Sequence, residues 1–368
     1  MNTLREYRRF DFLLFAVVAA LAVFGTILVG SAAGVSSDDY ASQKVWLVTG
    51  FFLLLAVAFV NYEFISRFYI PIYGVMLLLI VAALVQGYLL PNRSHSRMLT
   101  IGPVGIMPSE FAKLFLIIVL AKIIDKHSSK INSLLFLLIL CVAVAIPAVL
   151  IQRMPSLSAS MVSVFILVIM LFAAKIKYKY IIIVLLVGVP VALFVYYDIH
   201  AENHILIDKI LQPYQLQRIL DNNTAEKHEQ TMQGIYAIGS GQLTGKGLYN
   251  NAVTVYEAQN DFIFSVLGAE FGFVGCLAVL SAMFFVICRC LVIANRSADL
   301  LGKLIASSVA GMFAFQVIVN VGVNTGVLPN TGMALPFFSA GGSSMWINMA
   351  CIGLVLNVGM TRKKSMFE

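Results

Sequence analysis

The apolar residues of this chain fall in blocks of roughly 16–25, the length of helix that crosses about 30 Å of hydrocarbon. That feature removes most folds from consideration. Lipid offers no water to backbone N–H and C=O groups, so each block must satisfy them internally, as a helix. The blocks lie at about 11–30, 44–62, 70–90, 110–124, 132–151, 157–174, 178–197, 262–288, 304–328 and 344–361. The expected fold is therefore an all-α integral membrane protein of about ten transmembrane helices. Composition agrees: 60% of residues are hydrophobic and 12% charged, too few charges to coat a water-soluble surface. The fourth block is short and opens on charged residues, and the first is too well flanked by further spans to be a cleaved signal peptide.

Lysine and arginine in the loops set the orientation. With the N-terminus inside, sixteen fall on the cytoplasmic side, from Arg5 to Lys364. Eight fall outside: Lys44, Arg93, Arg97, Arg153, Lys209, Arg218, Lys227 and Lys246. Both termini are expected in the cytoplasm and the chain in the cytoplasmic membrane. The net charge of +7 then reflects topology and attraction to anionic membrane lipid, not nucleic acid. The five cysteines lie in or at the ends of apolar blocks and read as small apolar fillers. Cys288-x-Cys290 has no partner pair at zinc spacing, and no His-Glu-x-x-His occurs, so no metal site is expected.

Residues 1–368 read as one membrane domain with one long extracytoplasmic loop, about 198–261, between the seventh and eighth spans. Its apolar stretches Ile205-Leu206-Ile207 and Ile235-Tyr236-Ala237-Ile238 predict short helices lying on the bilayer surface. Gly239 to Gly247 holds four glycines in nine residues and must turn tightly. Pro329 to Ser344 is uncharged, rich in Gly and Pro, and apolar. Such irregular backbone is expected to be buried in protein or to line a cavity. No internal repeat supports an inverted-repeat transporter.

Ionisable residues within spans are costly and point to function. Glu110 and Lys113 open the fourth span in Pro108-Ser109-Glu110-Phe111-Ala112-Lys113. Pro108 and Ser109 suit a helix start, and Glu110 and Lys113, at i and i+3, can pair on one face. A capped helix start with a structural ion pair would look the same. Asp261 precedes Phe262-Ile263-Phe264 and suits either a helix cap or a catalytic carboxylate at the outer interface. Glu270 lies nine residues on, and a continuous helix would carry it roughly 13 Å deeper. That disfavours a hydrolase with two paired carboxylates. Arg97, Arg218 and Lys246 add outer-face positive charge, fit for an anion or for lipid headgroups.

Four ordered blocks together resemble one family. Asn260-Asp261-Phe262-Ile263-Phe264, with Glu270-Phe271-Gly272-Phe273, is similar to a signature of the shape, elongation, division and sporulation (SEDS) proteins of RodA and FtsW type. Pro108 to Lys113 resembles their Pro-Ser-Glu-x-x-Lys. Tyr214-Gln215-Leu216-Gln217-Arg218-Ile219, with Gly239-Ser240-Gly241 and Gly245-Lys246-Gly247, resembles their outer loop. Gly326-Val327-Leu328-Pro329, with Leu335-Pro336-Phe337-Phe338-Ser339 and Gly341-Gly342-Ser343-Ser344, resembles the segment before their last span. The tails and the long loop look closer to RodA. The chain departs from the pattern at Arg97-Met98, at Met154-Pro155-Ser156, where an Asp is missing, and at Glu257-Ala258-Gln259-Asn260-Asp261, where a His is missing.

The resemblance implies a peptidoglycan glycosyltransferase that polymerises lipid II at the outer membrane face, beside a class B penicillin-binding protein. Asp261 would be the general base. Lys113, Arg97, Arg218 and Lys246 would serve the departing pyrophosphate, with Glu110 positioning Lys113. No cofactor is certain, and a divalent cation is left open. The alternatives are a lipid II flippase and a non-catalytic scaffold. The small residues Gly311, Ala314, Gly322, Ala350 and Gly353 suggest that the partner docks on the ninth and tenth spans.

Overall fold

The computed structural model describes residues 3–5, 9–89, 98–101, 104–154, 156–177, 179, 225–250 and 255–363. Helix α1 (Phe12–Ala33) starts at Asp11, whose carboxylate accepts from Leu14 N–H at 3.0 Å. Helix α2 (Asp38–Phe59) is capped in the same way by Ser37, and the short α3 (Tyr62–Arg67) by Asn61. Then come α4 (Tyr69–Leu89) and a hairpin of β2 (Leu99–Ile101) and β3 (Val104–Ile106), paired Leu99↔Ile106. Helices α5 (Pro108–Lys126), α6 (Leu134–Arg153) and α7 (Leu157–Ala173) follow. Beyond the long loop come α8 (Ala225–Ser240), α9 (Ile263–Arg296), α10 (Leu300–Asn324) and α11 (Gly342–Gly359).

The protein is an all-α membrane protein. Seven helices are long and apolar enough to cross a bilayer unaided: α1, α2, α4, α6, α9, α10 and α11. Helix α5 carries Glu110, Lys113, Lys122, Asp125 and Lys126, and α7 has 17 residues. Both are enclosed by neighbours, α5 by α4, α7 and α10. Nine of the ten expected spans thus have a helix, and the seventh, 178–197, lies outside the described residues. At the ends of the chain, β1 (Thr3–Arg5) pairs antiparallel with β4 (Thr361–Lys363), Thr3↔Lys363. The ribbon puts both termini on one face, as an even number of crossings requires.

Three expectations change. First, the eighth span is not one straight helix. Helix α9 breaks at Gly272, whose φ of 62° and ψ of −162° are not helical. The Gly241–Gly247 turn fills the break. Gln242 and Leu243 carbonyls accept from Phe273 and Val274 N–H at 2.9 and 3.0 Å, and Gly247 N–H donates to Glu270 C=O at 2.9 Å. A Cβ on Gly272 would lie 2.4 Å from Gly245 N, so glycine is required there for space as well as for φ. The break lies beyond Glu270, so the helical stretch from Ile263 to Glu270 is unbroken, and the Glu270 side chain accepts a hydrogen bond from Ser31 Oγ on α1. Second, α8 forms where Ile235 to Ile238 suggested a helix, but it packs against protein. Ala237 is buried and Ile238 abuts Gly268 of α9, while Tyr236 faces outward. Third, the small residues of the last two spans serve internal packing. A Cβ on Gly353 would meet Leu54 C=O at 2.5 Å, one on Gly311 would meet Ile169 at 2.6 Å, and Ala350 is buried. Close helix approach inside the fold thus uses Gly311, Ala350 and Gly353, while Ala314 and Gly322 are half-buried.

Candidate active site

A cavity of about 530 Å³ lies at the end of the bundle opposite the terminal ribbon. Its walls come from the starts of α2, α5 and α7, the turn before α9, the middle of α10, and residues 331–344. That last segment is irregular, and Met333, Leu335, Phe337, Phe338 and Ser339 in it are buried, as its composition suggested. Five helices, α2, α5, α7, α9 and α11, begin at this cavity. The starts of α5, α7, α9 and α11 have no side-chain capping hydrogen bond. First-turn N–H groups have no partner within their own helix, and the positive ends of the helix dipoles add together here. These helix starts offer N–H donors to an anion, in a cavity lined by Lys113 and by four carboxylates, Asp39, Glu110, Glu257 and Asp261.

Charged side chains enter it from α2 (Asp39), from the start of α5 and from the turn before α9 (Glu257 and Asp261). Pro108 at the first helical position of α5 places Glu110 and Lys113 one turn apart on the cavity side. Lys113 Nζ lies 2.6 Å from Glu110 Oε2, with Lys113 2% and Glu110 13% exposed. Burial of a charge requires such pairing. An ammonium has three donors. Among the described residues Glu110 is the one carboxylate ion-paired with Lys113, so donor capacity remains toward the cavity.

Asp261 also lines the cavity and is half-buried. Phe262, not Asp261, is the N-cap of α9, without a side-chain capping bond, so Asp261 is not the helix cap. Its backbone is held by two asparagines of α10. Asn320 Nδ2 and Asn324 Nδ2 donate to Asp261 C=O at 2.9 and 3.0 Å. Asn320 also donates to Met333 C=O at 2.7 Å, and Asn324 Oδ1 accepts from Ser265 N–H and Oγ at 3.1 and 2.7 Å. Ala340 N–H donates to Gln259 C=O at 2.8 Å, which ties the turn to the segment before α11. Every one of these bonds is between buried or half-buried groups, so the carboxylate is carried on a rigid mount.

Of the six residues proposed from the sequence, the fold brings together Asp261, Glu110 and Lys113. Lys246 is exposed and outside the cavity lining, its backbone N–H bonded to Ala269 C=O at 3.1 Å. Arg97 and Arg218 lie outside the described residues. Sequence reasoning missed Asn320, Asn324, Gln316 and Gln43. Their signal was available: Gln316, Asn320 and Asn324 recur every four residues in the otherwise apolar second half of the helix. Polar side chains on one stripe of a membrane helix face protein, not lipid. Among the described residues no group of three His, Cys, Asp or Glu side chains could hold a metal ion.

The fold and the cavity define a class: a multi-pass membrane protein with a carboxylate-bearing cavity, walled by helix N-termini and one buried lysine, at one end of the bundle. Residues 11–364 match the model of the FtsW, RodA and SpoVE family, described as cell cycle proteins, and the chain belongs to that family. A probable peptidoglycan glycosyltransferase FtsW of Trichlorobacter lovleyi is 31% identical over 367 residues, covering 95% of this chain and 93% of its own. The peptidoglycan glycosyltransferase RodA of Treponema pallidum is 29% identical, covering 96% of this chain and 98% of its own. Among solved structures, a chain from a peptidoglycan synthase complex that coordinates polymerization and crosslinking aligns with a TM-score of 0.78 and 28% identity. It covers 95% of this chain and 97% of that one. RodA of Thermus thermophilus aligns with a TM-score of 0.68 and 27% identity, covering 95% of this chain and 96% of that one.

Proposed function

We propose that this protein is a peptidoglycan glycosyltransferase that polymerises lipid II at the outer face of the cytoplasmic membrane, in cell elongation or division. The observation that carries the reading is the meeting of Asp261, the Glu110–Lys113 pair and five helix N-termini in one cavity. Glycosyl transfer from a diphosphate-linked sugar needs one base and a binding place for the leaving diphosphate. It needs no second carboxylate as nucleophile when the sugar carbon is inverted.

In this mechanism a hydroxyl of the acceptor sugar attacks the anomeric carbon of the donor. Asp261 accepts the hydroxyl proton as the new carbon–oxygen bond forms. The bond from the anomeric carbon to the pyrophosphate breaks, and undecaprenyl pyrophosphate leaves with the electron pair. Lys113 and the uncapped helix starts stabilise the negative charge that builds on it. Glu110 positions Lys113 through the ion pair. The Asn320 and Asn324 bonds hold Asp261 in line with the acceptor. We assign Lys246 no place at the pyrophosphate.

Clustering of these groups at the face opposite the termini supports polymerisation over translocation, which would need a polar path through both leaflets. The chain carries nothing resembling a serine transpeptidase. The likeness to a complex that couples polymerization with crosslinking supports a class B penicillin-binding protein as partner. The decisive experiment is polymer formation from purified lipid II by wild type and by Asp261→Asn. The variant keeps shape and hydrogen bonding but cannot accept the proton. Undiminished polymer from Asp261→Asn at equal expression refutes the assignment.

A further inference from the structure

Two buried primary amides in the cavity have no role in this glycosyl transfer. Gln43 on α2 and Gln316 on α10 are each 1% exposed, and both line the cavity. Gln43 Oε1 accepts from Gly341 N–H at 3.1 Å, while its Nε2 has no hydrogen-bond partner among the described residues. Gln316 Oε1 likewise has none. The Gly341 N–H donor fixes the oxygen end of the Gln43 amide. A buried amide without a partner destabilises the folded chain, and an apolar side chain of the same shape would be tolerated better. Two of them, one on α2 and one on α10, line one cavity and are groups awaiting a ligand.

The chemistry of that ligand can be read from the donors. The Lys113–Glu110 pair and the helix starts are suited to a diphosphate. Uncharged amides give an anion little, because they bring no charge to it. They match an uncharged group that offers one acceptor and one donor. A secondary amide does so on opposite edges: its C=O can accept from Gln43 Nε2 while its N–H donates to Gln316 Oε1. It can therefore bridge two walls, whereas a hydroxyl must serve both from one oxygen.

Position selects the sugar. Gln316 lies one helical turn from Asn320 on the same face of α10, and Asn320 grips the backbone of Asp261. The amide ligand therefore sits beside the general base, where the acceptor sugar presents its hydroxyl.

We propose that Gln43 and Gln316 bind the acetamido group of the acceptor amino sugar and determine the enzyme's preference for N-acetylated substrate. This inference rests on the glycosyl-transfer reading of the cavity. The test uses the full-length protein in detergent or liposomes. The donor is a labelled lipid II blocked at its acceptor hydroxyl, so that it can only donate. Two acceptors are compared in the same preparation: lipid II, and lipid II whose acceptor sugar carries a free amine in place of the acetamide.

Wild type is expected to favour the acetylated acceptor by about tenfold to a hundredfold in kcat/KM, the effect of leaving buried amides unpaired. In Gln316→Leu and in Gln43→Leu that ratio should fall toward one. The loss should come mainly from the acetylated acceptor. Because the ratio is taken within one preparation, it does not depend on the folded fraction, and Gln316→Met serves if the leucine variant fails to insert. A ratio unchanged in both Leu variants overturns the proposal, as does a wild type that uses both acceptors equally. A wild type that extends neither acceptor refutes the underlying polymerase reading instead, so the two failures are distinguishable.

Discussion

Lys113 is the residue at which a structural ion pair and a pyrophosphate ligand make opposite predictions. Its ammonium lies 2.6 Å from Glu110 and is 2% exposed. At an effective dielectric near 20, two unit charges at that distance attract by about 6 kcal/mol. Desolvation of both groups offsets most of this, so the pair adds little net stability over an apolar replacement. Removing one member is different. Lys113→Met leaves the Glu110 carboxylate 13% exposed and without its counter-charge, and should destabilise the fold by about 3 kcal/mol. Adding Glu110→Gln removes the stranded charge and should restore most of that loss. Activity should not return with it. A missing cation at a developing oxyanion lowers turnover by about a hundredfold to a thousandfold. The assays are thermal inactivation in detergent at a fixed scan rate and lipid II polymerisation at equal folded protein. A double variant that regains both stability and polymerase activity would show Lys113 to be structural and sink the pyrophosphate role.

The same geometry sets four further outcomes. Asn324→Leu should cut polymerisation about tenfold without loss of insertion, because Ser265 N–H and Oγ lose their acceptor and Asp261 its mount; wild-type turnover would remove the mount from the mechanism. Gly272→Ala places a Cβ 2.4 Å from Gly245 N at a φ of 62°. It should destabilise by more than about 1 kcal/mol, read as a lower inactivation temperature, and an unchanged temperature would refute the broken-helix geometry. Lys246→Ala should leave kcat/KM within about twofold of wild type, as for an exposed residue off the site; a larger loss in the polymer assay would return Lys246 to the pyrophosphate. Single cysteines at the exposed positions Val35 and Gln242 should react with an impermeant thiol reagent applied outside, and one at Asn295 should not. The reverse pattern would put the cavity in the wrong compartment.

The membrane class and the positions of nine of the expected spans were legible in the residues. Hydrocarbon thickness sets the length of an apolar block, and an unsatisfied backbone in lipid forces the helix. The Glu110–Lys113 pair was legible too, since i and i+3 spacing is a local property of one helix. So was the buried character of Pro329 to Ser344, which combines no charge with irregular backbone. The rest of the site depends on groups distant in the chain. That Asp261 lines the same cavity as Lys113 rather than capping α9 depends on α10, whose Asn320 and Asn324 hold the turn from about 60 residues away. The break at Gly272 depends on the Gly241–Gly247 turn entering it, which no 3.6-residue period can report. The small residues of α10 and α11 read equally well as an outer docking stripe or an inner seam, and Leu54 and Ile169 place Gly353 and Gly311 in the seam. Local spacing determines which residues share a helix face. Only the packed structure determines which faces meet, because that depends on the summed fit of all the helices at once.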